Sequence, residues 1–197
     1  MDARIPAASL ADHPRIVVVG TSCCGKTAFS RRLAELLNRP HIELDALHWG
    51  PNWTPNPDFA ERVAAATAAE EWIVDGNYTM VRDLTWRRAT ALVWLNFSFP
   101  IVFWRSLART CRRIRSGEEI CNGNRETVVR SFFHWDGIPW WVLRTFHFRR
   151  CELRALLRQP EFGHLQLFEL HEPTAAEELL GTIPDRQGKQ PGRPGIS

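Results

Sequence analysis

The sequence predicts an α/β fold built on a five-stranded parallel sheet with helices on both faces. Three observations carry this expectation. Apolar, strand-like runs alternate with helical patterns along the chain. One of these alternations is a strand, a glycine loop and a helix in immediate succession. The 197 residues, 24% charged and 44% hydrophobic, suit one globular domain with one sizeable core.

The first strand is Arg15-Ile16-Val17-Val18-Val19, a β-branched run of buried type. Lys26 to Asn38 reads as a helix, because Ala28, Phe29, Leu33, Leu36 and Leu37 share one face. Between them stands Gly20-Thr21-Ser22-Cys23-Cys24-Gly25-Lys26-Thr27. It fits G-x-x-x-x-G-K-[ST], the phosphate-binding loop of nucleoside triphosphatases and kinases. His41 to Leu44 reads as the second strand, and the alanine-rich Pro57 to Glu71 as a helix. Trp72-Ile73-Val74 is the third strand and ends at Asp75-Gly76; Ala91 to Leu95 is the fourth. Pro100 to Arg115 is a helix with proline near its first turn. Leu165 to Leu170 is the fifth strand, and Pro173 to Leu180 the last helix. The expected organisation is a flexible arm at 1–13, a P-loop domain at 14–181 and a disordered tail at 182–197. The domain is a P-loop NTPase three-layer sandwich. Its acceptor-side segment spans about 45–71, and a small helical lid about 111–130. Ligands of such a sheet bind at the carboxyl ends of the strands.

The chemistry starts at the loop. Strand, glycine loop and helix aim backbone N–H groups at an anion. Among 25 Lys+Arg there are two lysines, Lys26 and Lys189. Lys26 stands where a compact, flexible ammonium reaches the β- and γ-phosphates, and the Thr27 hydroxyl suits Mg²⁺. Asp45 follows the second strand, where a carboxylate can orient an attacking hydroxyl; an N-cap is the alternative reading. Asp75 closes the third strand as a second Mg²⁺ anchor; a hairpin turn is its alternative. Seven arginines lie between Arg105 and Arg130. Of these Arg105, Arg109 and Arg125 are the candidates to neutralise a migrating phosphoryl group, and the rest read as a solvated face. The two-glycine loop from Ser116 to Asn124 reads as a lid or a plain connection. His134, His147, Trp135, Trp140 and Trp141 read as packing residues.

Bulk properties narrow the function classes. A net charge of +3 is too mild to imply nucleic acid. No eighteen-residue apolar run and no leader stands out, so no membrane span is expected. Five cysteines, an odd number, suggest reduced thiols and a cytoplasmic setting. Cys23 and Cys24 sit by Lys26 at a helix N-terminus, conditions that lower a thiol pKa and suggest an oxidation-sensitive loop; small residues that simply fit the loop are the alternative reading.

Four segments occur in order: the phosphate loop, Leu44-Asp45-Ala46-Leu47-His48-Trp49, Asp75-Gly76-Asn77-Tyr78 and Asn122-Gly123-Asn124-Arg125-Glu126. Together they resemble the adenylate-kinase-related DNA topology modulation proteins, over roughly residues 15 to 170. The resemblance implies a P-loop kinase using ATP and Mg²⁺. Lys26 and Thr27 then look like its phosphate and metal residues. Arg105 and Arg109 resemble the base-stacking and phosphate arginines of adenylate kinases. Those enzymes follow Asp-Gly with Pro-Arg, where Asn77-Tyr78 stands here. Asp45 is more like the acid after the second strand in shikimate and gluconate kinases.

The expected function is γ-phosphoryl transfer from ATP·Mg to a small-molecule acceptor, a nucleoside monophosphate or a hydroxyl compound. The alternative is a nucleotide-dependent DNA-binding regulator. It draws on the arginine-rich segment and would show as salt-dependent DNA binding. No Asn-Lys-x-Asp motif supports a GTPase switch.

Overall fold

In chain order the elements are β1 (Arg15–Gly20), α1 (Lys26–Leu37), β2 (His41–Glu43), α2 (Leu44–His48), α3 (Phe59–Ala66), β3 (Trp72–Asp75) and α4 (Arg82–Trp86). Then come β4 (Ala91–Leu95), α5 (Phe99–Ser116), β5 (Glu119–Ile120), β6 (Asn124–Arg125), α6 (Ile138–Leu156), β7 (Gln166–Leu170) and α7 (Pro173–Gly181). The structure is a computed structural model that describes residues 9–116, 119–120, 124–125 and 138–184; side chains of 119–120, 124–125 and 138–141 are left aside.

Five strands form one all-parallel sheet in the order β2-β3-β1-β4-β7. The central strands are buried on both faces, which is why they read as continuous apolar runs. Alternate residues feed two cores. Ile16, Val18, Ile73, Val93 and Leu95 face α1, α5 and α7. Val17, Val19, Val74, Leu92 and Trp94 face the layer holding Phe59, Val63 and Trp86. The three-layer P-loop sandwich is therefore present.

Two terminal expectations need correction. Within the expected arm at 1–13, Leu10–Asp12 forms a 3₁₀ turn, and Leu10 and Ala11 are buried in the core. The cause is Arg39, whose buried guanidinium donates to the carbonyls of Ala11 and His13 and pairs with Glu71 at 3.1 Å. At the other end Ile183 is buried against the same core; 185–197 lie outside the described residues.

The lid also differs. Where a helical lid is expected at about 111–130, the described part is the end of α5 and a two-stranded antiparallel ribbon. Glu119 lies opposite Arg125 and Ile120 opposite Asn124. The backbone of β6 lies against the Pro51–Trp53 turn on the acceptor side. His134 and Trp135 lie outside the described residues, as do the side chains of Arg125, Trp140 and Trp141. Among the described residues no helix is long and apolar enough to cross a membrane.

Candidate active site

The loop after β1 is closed by local geometry. Gly25 caps α1 at φ 103°, in the left-handed region where a glycine is favoured. Cys23 holds φ 65° without being glycine, a strain typical of functional loops. Lys26 Nζ donates to the Thr21 carbonyl at 3.0 Å, across its own loop. Arg105 on α5 donates through Nη1 to the Cys24 carbonyl at 2.7 Å. Its guanidinium also lies 5.3 Å over the Phe97 ring. One turn further on, Arg109 makes no such contact, and its shielded Nε has no hydrogen-bond partner among the described residues.

Sheet register brings the acids to the same end. Asp75 pairs in register with Val18 of β1 and with Glu43 of β2. It is buried, and its Oδ2 lies 3.1 Å from His41 Nε2. The parallel register disposes of the hairpin alternative. Gly76 follows at φ 132°, and a Cβ there would stand 2.9 Å from Leu44 Cβ. This close approach seats α2, and Asp45 with it, beside the end of β3. Gly76→Ala is expected to cost about 1–3 kcal/mol by overpacking and strain. The denaturant midpoint should fall at unchanged slope; an unmoved midpoint would mean that α2 is not so seated.

Asp45 is not a helix cap. Glu43 holds the N-cap position of α2, and its side chain makes no capping bond. Asp45 is exposed, and its Oδ1 accepts from the Tyr78 hydroxyl at 2.6 Å. Burial would lower the Lys26 pKa; Cys24, Asp75 and Asp45 outweigh it, and the direction is up. The ammonium thus stays charged. Glu43 is pushed up by burial, then by Asp75 and Asp45.

Cys24 corrects the expectation of a reactive loop thiol. It is fully buried, and burial pushes its pKa up, against the opposing pull of Lys26. A buried neutral thiol is inert packing rather than a redox handle. Cys23 is half-buried.

Among the described residues no group of three or more His, Cys, Asp or Glu is placed to hold an ion. Mg²⁺ typically takes one or two protein ligands and completes its shell with phosphates and water. Half-buried Thr27 at the start of α1 and buried Asp75 match that donor set.

Contacts between distant residues supply what the sequence reading missed. His41 touches Asp75, and Tyr78 holds Asp45. His48 packs against Trp49, Phe59 and Tyr78 with ring centroids 4.6, 4.7 and 4.6 Å away. Burial lowers the His48 pKa below 6.5, with Asp45 opposing. His13 is lowered first by burial as well. Between their folded values and 6.5 the unfolded chain binds more protons, so stability falls as pH drops through that window. Denaturant midpoints at about pH 7.5 and 5.5 should diverge, and less so in His48→Gln. Equal divergence in the variant would remove His48 from the account.

No protein-family model matches the chain, and no curated protein matches it in sequence. Solved structures do match in fold. Shikimate kinase from Acinetobacter baumannii, in complex with shikimate, is 19% identical over 86% of this chain and 90% of that one, with a TM-score of 0.51. A gluconokinase from Sinorhizobium meliloti is 19% identical over 88% of this chain and 95% of that one, with a TM-score of 0.45. A sugar kinase from Janibacter is 16% identical over 85% and 90%, also at 0.45. The fold is thus that of P-loop kinases, a conclusion resting on the first of these together with the parallel sheet and loop of this chain.

Proposed function

We propose that this chain transfers the γ-phosphoryl group of ATP·Mg to a hydroxyl of a small-molecule acceptor, as an adenylate-kinase-related P-loop enzyme of the DNA topology modulation family. The observation that carries the reading is the meeting of three elements. Lys26 opens α1 straight after the β1 loop, Asp75 ends β3 in register beside β1, and Gly76 seats α2 with Asp45 against that same end of the sheet. A phosphate-binding ammonium, a metal-anchoring carboxylate and an acceptor-side carboxylate are what phosphoryl transfer requires. The fold shared with a shikimate kinase supports a small-molecule acceptor.

In this reading the loop amides from Gly20 to Thr27 and the Lys26 ammonium bind the phosphates. Thr27 and Asp75 hold magnesium, which when bound neutralises the developing charge. His41 fixes the Asp75 carboxylate through its 3.1 Å contact. Asp45, aligned by Tyr78, takes the proton of the attacking hydroxyl. Arg105, fastened to the loop, counters charge on the migrating group, with Arg109 and the lid's Arg125 as further donors. The segment at 45–71 receives the acceptor, and the one at 111–130 covers it. The test is ATP consumption above basal hydrolysis in the presence of candidate acceptors. Failure of every acceptor class to stimulate it would leave a nucleotide-binding protein rather than a kinase.

A further inference from the structure

The acceptor side of the proposed kinase site has a charge that selects among acceptors. From Leu44 to Val81 the sequence carries six carboxylates; Glu70 and Glu71 stand before the amino end of β3, away from the loop, and pair with Arg15 and Arg39, which leaves Asp45, Asp58, Glu61 and Asp75. Against them stands one arginine, Arg62, and no lysine. Arg62 is exposed on α3, whose buried residues are Phe59 and Val63. Near the loop the acids crowd one another: Asp75 and Asp45 both push Glu43 up, after burial. A carboxylate or phosphate on the acceptor would meet like charge there, with no guanidinium from this segment to compensate. Like charges at close range in a partly buried site cost far more than in water.

What this side does offer is neutral. His48 Nδ1 and Asn77 Oδ1 are shielded from solvent and have no hydrogen-bond partner among the described residues. Buried polar atoms are almost always paired, so each of these two atoms, without a partner among the described residues, calls for one. Both belong to segments that flank the proposed general base. Asn77 precedes Tyr78 in the chain, and the His48 ring packs on Tyr78, whose hydroxyl bonds Asp45. Burial favours His48 as the neutral imidazole, suited to a hydroxyl rather than an anion.

Resting on the kinase reading above, we propose that the acceptor is a polyhydroxylated compound without an anionic group, a neutral sugar or polyol, recognised by Asn77 and His48. The reacting hydroxyl oxygen bonds to the γ-phosphorus, the β–γ bridging oxygen leaves with ADP, and the hydroxyl proton passes to Asp45.

The experiment follows ATP consumption by the full chain with ATP·Mg and three panels: neutral sugars and polyols, hydroxy acids, and nucleoside monophosphates. A neutral compound is expected to accelerate turnover at least about tenfold over basal hydrolysis, and the anionic panels to leave it unchanged. With that compound, Asn77→Ala should raise the acceptor KM about tenfold at unchanged ATP KM, and the isosteric Asn77→Asp should do likewise. Arg62→Ala should leave both constants unchanged. Acceleration by none of the panels overturns the kinase reading itself; acceleration by an anionic panel overturns the inference alone. So does a tenfold loss of acceptor affinity in Arg62→Ala. Failure of the wild-type chain to bind ATP in calorimetry would instead overturn the kinase reading beneath it.

Discussion

Replacing Lys26 with alanine is expected to weaken ATP binding by about 2–4 kcal/mol, roughly thirtyfold to a thousandfold in Kd. The ammonium is held at the loop by its 3.0 Å bond to the Thr21 carbonyl and stays charged in the field of Asp75 and Asp45. Without it those two carboxylates face the triphosphate with less compensation, so the loss exceeds that of one hydrogen bond. Lys26→Arg should fail to restore affinity. A planar guanidinium lacks the compact three-donor head that fits a closed loop. Calorimetric titration of ATP·Mg into both variants checks this, with thermal unfolding as a control for the fold. Affinity unchanged in Lys26→Ala would detach the loop from the nucleotide.

Asp45→Asn should separate binding from turnover. Asp45 lies on α2 rather than in the loop, and its contact is with Tyr78. Nucleotide affinity should stay within about twofold, since no loop hydrogen bond is lost. The acceptor-stimulated rate should fall about 10²- to 10⁴-fold, the span of a lost general base. Tyr78→Phe should cost less, about tenfold, because it removes only the group that aligns the carboxylate. A full rate in Asp45→Asn would reduce Asp45 to a surface acid.

The large elements were legible because their signals are local. β1, β3 and β4 are apolar runs buried on both faces, and the loop is contiguous with β1. α6 was not read as a helix, and the reason lies in its packing. Val142 and Phe146 belong to one core layer and Leu153 to the other, so it lacks the single apolar stripe that marks an amphipathic helix. α2 was hidden because Leu44, its first residue, is buried and continues the apolar run of β2. At the proposed site, the sequence alone singles out Lys26 by its loop motif, Asp45 and Asp75 by their places after strands, and Arg105 by helical spacing. The His41–Asp75 and Tyr78–Asp45 contacts were not legible, being set by the β2–β3 register and by the approach of Leu44 to Gly76. The buried state of Cys24 was likewise invisible, since adjacency to Lys26 says nothing of what covers the thiol.

The most direct test of phosphoryl transfer is the fate of the γ-phosphorus. With γ-labelled ATP·Mg and an acceptor that stimulates turnover, label should appear in a phosphorylated small molecule in step with ADP, and Asp45→Asn should suppress it. Label released wholly as inorganic phosphate, at a rate indifferent to acceptor and to Asp45, would contradict the account.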